Sequence, residues 1–178
     1  MDLYLLRHGV AVQRGTPGYK NDRLRPLTPD GRRRLDAVAR GIKRLGVSFD
    51  VIFSSPLVRA RETAELIARG LGLDRHVSTS PHLAPDADTG RLLVEVETML
   101  SRTSASVLLV GHEPDLSRLA SVLVFGEEGG MIKLRKGGLV KLTAAEWRRG
   151  RRARLEALLT PEQLQRLGAV TTTDDEKE

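Results

Sequence analysis

A chain of 178 residues, 40% hydrophobic and 29% charged, has the length of one domain and the composition of a folded globular protein rather than a disordered one. Its formal net charge of +6 attracts polyanions, but aromatic residues make up only 3%, which leaves no stacking platform of the kind that single-stranded nucleic acid binding uses. Cysteine is absent, which excludes disulfides, thiolate metal sites and a cysteine nucleophile together.

The basic residues collect in two places, Arg32 to Arg34 with Arg40, Lys43 and Arg44 on one predicted helix, and Arg148 to Arg154 near the C-terminus. Such spacing belongs to solvated faces, and a phosphorylated substrate or partner is a second, compatible reason for the excess. The N-terminal run MDLYLLRHG is too short for a signal peptide and no stretch reaches the length of a bilayer span. A soluble cytoplasmic protein with neither nucleic acid nor membrane as partner is therefore expected.

Leu3 to Leu6 reads as a buried strand that ends at Arg7, His8 and Gly9. Residues 10–26 lack periodicity and form a long loop bordering the strand end. A helix follows with Thr28 as N-cap, Pro29 at its first position and an apolar face from Leu35 to Leu45, closed by Gly46. Asp50 to Ser54 forms the second strand, and Ser55-Pro56 is read as the N-cap and first position of the next helix. A short strand near Val77 to Thr79 and a helix from Asp88 to Leu100 come next, then the apolar strand Val107 to Val110, the turn Gly111 to Pro114 and a helix from Asp115 to Phe125. Leu139 to Leu142 and Arg154 to Leu159 are predicted strands, joined as a hairpin around Trp147 to Gly150, and Pro161 to Leu167 is a closing helix. Alternation of strands and helices predicts an α/β layered sheet in one domain over residues 1–168, with a polar tail over 169–178.

Ligands of such sheets gather at the carboxyl ends of the strands. Arg7-His8-Gly9, Ser54 to Arg59, and Gly111-His112 all fall there, so two histidines and two arginines are expected in one crevice. Guanidinium forks match phosphate oxygens, and the helix starting near Ser55 adds backbone N–H groups. Arg7 and Arg59 would depress the His8 pKa and keep its imidazole neutral and nucleophilic, with His112 as a further clamp. His76 and His82 lack metal-ligand spacing and are read as structural or exposed, and Arg61 and Glu62 as an ordinary helical surface.

The ordered segments LYLLRHG, DRLRPLTPDG, DVIFSSPLVRARETAE and VLLVGHEPDLS resemble the histidine phosphatase superfamily, the phosphoglycerate-mutase-like proteins, and within it the SixA-type phosphohistidine phosphatases. The resemblance implies a three-layer α/β/α sandwich with a mostly parallel central sheet, and a metal-independent reaction without cofactor. It implies His8 as the phosphorylated nucleophile, with Arg7, Arg59 and His112 holding the phosphoryl group. Gly9, Ser55, Arg25 and Asp86 are the expected substrate-binding positions; Arg25 has an alternative reading as a plain loop arginine. Larger members carry a glutamate general acid near the position of Leu83 to Asp88, where this chain has none. Asp86 is the substitute on offer, and Asp88 is read as an N-cap. Loss of the acid agrees with a phosphorylated protein as substrate; a small phosphorylated metabolite and a phospho-binding module without turnover are the rival readings.

Overall fold

Four consecutive apolar residues, Leu3 to Leu6, need cover on both faces of the strand they form. In the computed structural model of the chain, which describes residues 1–73, 77–101, 106–129, 132–147 and 152–169, they have it. The strands are β1 (Asp2–Arg7), β2 (Val51–Ser54), β3 (Val77–Thr79), β4 (Ser106–Gly111), β5 (Leu139–Thr143) and β6 (Arg154–Leu159). The helices are α1 (Pro29–Arg44), α2 (Val58–Leu71), α3 (Thr89–Ser101), α4 (Asp115–Phe125) and α5 (Pro161–Ala169). The strands form one sheet in the order β3-β2-β4-β1-β5-β6. The first four run parallel, and β5 and β6 are antiparallel additions at one side.

Side chains of a strand alternate between faces, and β1 and β4 each feed two cores. Leu3, Leu5, Val107 and Leu109 pack with Leu92 and Val96 of α3 and Leu116 and Leu119 of α4. Tyr4, Leu6, Leu108 and Val110 pack with Val38 and Ile42 of α1, Ala64 and Ile67 of α2 and Leu164 of α5. The result is the three-layer α/β/α sandwich expected from the sequence. Burying each such leucine stabilises the fold by about 1.5–3 kcal/mol. Among the described residues no helix is long and apolar enough to cross a membrane.

Thr28 caps α1 as read from the sequence, its Oγ1 accepting from Gly31 N at 2.9 Å with Pro29 in the first turn. Asp88 likewise caps α3, accepting from Arg91 N at 3.1 Å. The start of α2 differs from expectation. It begins at Val58 behind Leu57, which offers no side-chain cap, while Ser55 Oγ accepts from Leu57 N at 3.3 Å ahead of the helix. The antiparallel pairing of β5 with β6 agrees with the predicted pair of strands, while Arg148 to Arg151, on which part of the expected hairpin turn falls, His76 and residues 170–178 lie outside the described residues. The closing helix α5 runs two residues past Leu167.

α1 and α5 approach one another through two glycines. A Cβ on Gly41 would stand 2.1 Å from Leu164 O, and one on Gly168 2.1 Å from Ala37 O, so only glycine permits this crossing. Arg40 Nε and Arg44 Nη1 then donate to the Gly168 and Leu167 carbonyls at 3.3 and 2.7 Å, so part of the basic face binds the end of α5 rather than solvent alone. We expect Gly41→Ala to lower the unfolding free energy by about 1–3 kcal/mol through overpacking. That is opposite in sign to the gain of about 1 kcal/mol the change gives in an open helix. Urea denaturation midpoints check it.

Candidate active site

The parallel register brings three strand ends level. Arg7 of β1 lies opposite Gly111 of β4, and Ser54 of β2 opposite Val110. The next residues, His8, Ser55 and His112, therefore emerge side by side. His8 N donates to Gly111 O at 3.1 Å and Ser55 N to Val110 O at 2.9 Å, which carries the ladder one residue past the strands. All three side chains are buried, and the two imidazole rings stand 4.9 Å apart.

The ring nitrogens are held in different ways. His8 Nδ1 lies 2.7 Å from Gly9 O, which as a carbonyl only accepts, so Nδ1 carries the proton and Nε2 keeps its lone pair. Arg59 Nε–H points at that lone pair from 3.3 Å. His112 Nε2 is 2.8 Å from Ser55 Oγ, while its buried Nδ1 meets no protein partner among the described residues. Burial is the first cause that keeps both rings neutral. For His8 the adjacent His112, Arg59 and Arg7 add to it against the opposing Gly9 bond, and the pKa falls to about 2. For His112, Arg59 and Arg7 add to burial and the pKa falls to about 3.

Gly9 closes the turn after β1. Its N–H donates to Thr63 Oγ1 at 3.1 Å, and that hydroxyl donates to Arg59 O at 2.7 Å, so α2 grips the turn one helical turn beyond Arg59. A Cβ at Gly9 would lie 2.6 Å from Leu35 Cδ1, in the packed face of α1. Arg7 is held by Nη1 to Leu134 O at 3.0 Å and by its backbone to Gly137 and Gly138.

The long loop supplies the anchor of the guanidinium groups. A bridge between Ala11 and Leu27 closes its base, and inside it Asp22 opens a short 3-10 turn. Arg59 donates from Nη1 to Asp22 O at 2.9 Å and from Nη2 to Asp22 Oδ2 at 3.1 Å. Arg25 and Arg14 both pair with Asp22 Oδ1, at 2.7 and 3.0 Å. Burial alone would raise the Asp22 pKa, but the hydrogen bonds from Arg25 and Arg14 and the charge of Arg59 outweigh it and bring it to about 2. Arg25, also bonded to Val12 O, thus joins the cluster through Asp22 rather than as a free loop arginine.

His8, Arg7, Arg59 and His112 are therefore brought together, with Gly9, Ser55 and Arg25 against them. Asp86 is not. It is exposed, in the left-handed region with φ 60°, and its bond is from its backbone N to Asp115 Oδ2 at 3.3 Å. Glu62 departs from its reading as plain surface: it is half-buried, accepts from Leu27 N at 2.7 Å and pairs with Arg32, tying the end of the loop to α2. Asp22 and Thr63 were missed in the sequence. For Thr63 a signal existed, since it lies four residues after Arg59 on the same helical face; for Asp22, in an aperiodic loop among arginines, there was none. Among the described residues no three His, Asp or Glu side chains gather as metal ligands.

This combination of parallel strand ends, paired imidazoles and guanidinium groups defines a class. Residues 3–84 match the model of the histidine phosphatase superfamily (branch 1). The proteins and solved structures the chain is similar to include SixA. The chain is 29% identical over 127 residues to the phosphohistidine phosphatase SixA of Escherichia coli, covering 71% of this chain and 76% of that protein. A solved structure of the protein histidine phosphatase SixA complexed with tungstate superposes with a TM-score of 0.79 at 26% identity, covering 92% of this chain and 99% of the other. An uncharacterized protein of Picosynechococcus sp. is 39% identical over 142 residues, covering 80% of this chain and 84% of that protein.

The depressed histidines set the pH response of the fold. In the unfolded chain an imidazole takes its proton near pH 6.5; in the folded protein His112 and His8 do so only near 3 and 2. The unfolded state binds more protons between these limits, so their stabilising contribution is complete above about pH 6.5 and is lost as pH falls. Thermal melting should therefore fall between about pH 7 and about pH 5.5, and His8→Asn or His112→Asn should flatten that slope. An identical slope in both variants would contradict the neutral assignment.

Proposed function

We propose that the chain removes phosphoryl groups from phosphohistidine in proteins, through a phosphorylated His8. The observation that carries this reading is the unprotonated His8 Nε2, whose lone pair accepts from Arg59 Nε and which stays unprotonated because Nδ1–H is committed to Gly9 O. In the first step Nε2 attacks phosphorus in line, the N–P bond forms, and the bond from phosphorus to the donor imidazole breaks. The donor ring, protonated on its other nitrogen, takes that electron pair and leaves as neutral imidazole. No enzyme acid is required for this departure, which accords with Asp86 standing outside the cluster. In the second step water attacks phosphorus, the bond to Nε2 breaks and returns its pair to His8, and phosphate leaves with the protons of the water.

Negative charge on the three equatorial oxygens of the moving phosphoryl group is met by Arg7, Arg59 and the free Nδ1–H of His112. The tautomer of His112 that carries this proton is the one in which Ser55 Oγ–H donates to Nε2. These donors are fixed in advance by Leu134 O, Asp22 and Ser55 respectively, so little reorganisation accompanies the reaction. The positive charge comes from the chain's own side chains, and the reaction is proposed to run without a metal. Likeness to SixA, a phosphohistidine phosphatase by name, supports the same reading.

The test is turnover of a phosphohistidine peptide against a panel of aryl and alkyl phosphates, in the presence of a chelator. The expected result is the highest kcat/KM on the phosphohistidine peptide, unaffected by chelation and abolished in His8→Ala. A clear preference for an ester would sink the proposal, and equal rates in His8→Ala would remove His8 from the reaction.

Asp22 provides a separate check on the clamp. Asp22→Asn removes the charge that orients Arg59 and Arg25 and should lower kcat/KM about 10- to 100-fold by misplacing the guanidinium, with far-ultraviolet circular dichroism unchanged. Undiminished turnover would show that Arg59 needs no such anchor.

A further inference from the structure

Beside the phosphoryl cluster lies a cavity of about 310 Å³, bounded by residues 135–137 and the N-terminal halves of α5 and α1. It shares Arg7 and Gly9 with the site described above, so a substrate held at His8 would have this cavity as its neighbour. Four cations line it, Arg7, Arg34, Arg135 and Lys136, against a single acid, Glu162. Three of them have partners: Arg7 donates to Leu134 O, and two others pair with carboxylates, Arg34 Nε with Asp30 Oδ2 at 2.6 Å and Arg135 Nη1 with Glu162 Oε2 at 3.6 Å.

Lys136 has none among the described residues. Its ammonium stands in the field of Arg7, Arg25 and Arg59, and burial first, then repulsion from these three, lowers its pKa. Its backbone is fixed relative to the site: Gly137 N donates to Arg7 O at 2.9 Å, Arg7 N to Gly138 O at 3.3 Å and Gly138 N to Arg135 O at 2.8 Å. The Lys136 side chain is exposed, so an incoming anion would meet it at a partly screened place and relieve its repulsion by these three guanidinium groups. The volume lies at the small end for ligand cavities. With Leu35 and Val38 in its wall it suits one side chain with an apolar stem and a charged tip.

We infer that this cavity is a second anion subsite that receives a glutamate or aspartate side chain flanking the phosphorylated residue of a polypeptide substrate, with Lys136 as its principal contact. The inference rests on the proposed phosphohistidine activity for the identity of the substrate, and on the cavity alone for its preference for a carboxylate. Substrates with an acidic neighbour are then selected by the same surface that neutralises their phosphoryl group.

Two phosphohistidine peptides differing only by Glu or Gln beside the phosphorylated residue test it. The expected result is a preference of about fivefold in kcat/KM for the Glu peptide, a charge-assisted contact at a partly screened site, which shrinks as salt is raised. Lys136→Gln should bring the ratio to about one, and Arg135→Gln should reduce it. No preference in the parent protein, or a ratio untouched by Lys136→Gln, would overturn the subsite. Should neither peptide be turned over, which would sink the phosphohistidine reading itself, an aryl phosphate bearing a ring carboxylate compared with its carboxamide poses the same question. A Lys136-dependent preference for the carboxylate would uphold the subsite, and equal rates would overturn it.

Discussion

A neutral imidazole buried at the end of a strand, with a guanidinium aimed at its free nitrogen, is the constraint around which the rest of the site is arranged. In water the same ring would be protonated over much of the range in which a carboxylate is ionised, and a protonated ring has no lone pair to give. Here burial carries most of the penalty against protonation, and the fixed positive charges of Arg7 and Arg59 add to it. The same charges that keep His8 neutral are those that would bind a phosphoryl dianion, so one set of side chains serves both ends.

Gathering that much positive charge in a buried place has a cost, and the fold offsets it locally. Asp22 accepts from Arg14, Arg25 and Arg59, so the loop after β1 closes on α2 through one carboxylate. Glu62 ties the far end of the same loop and Arg32 back to α2. Arg7, by contrast, is held by a carbonyl rather than by a carboxylate, and its buried Nε has no hydrogen-bond partner among the described residues. Arg7 also feels the charge of Glu113, which follows His112, and Lys136 carries the positive field on from Arg7, Arg25 and Arg59.

Much of this was legible in the sequence because it follows from strand ends. Unbroken apolar runs at Leu3 to Leu6 and Val107 to Val110 can only be interior strands of a doubly covered sheet, and polar residues directly after them must fall on one edge of it. Hence His8, Arg59 and His112 could be grouped across more than a hundred residues of chain. What could not be read depends on contacts between irregular segments. Asp22 sits in a loop whose conformation no periodicity specifies, and the half-burial of Glu62 depends on where that loop ends. Ser55-Pro56 carries the pattern of a helix start, yet the helix begins three residues later at Val58, and the serine hydroxyl joins a local bond from Leu57 N to a tertiary contact with His112. The need for glycine at Gly41 and Gly168 arises only where α5 lies against α1, a contact that no local pattern specifies.

The central claim is that His8 Nε2 forms a bond to phosphorus. Rapid mixing with a phosphohistidine peptide, quenching in alkali within one turnover and locating the phosphate by tandem mass spectrometry tests it most directly. A transient label on His8 that appears and decays at rates able to support steady-state turnover is the expected result. Release of phosphate with no labelled histidine, or a label carried by another side chain, would contradict it.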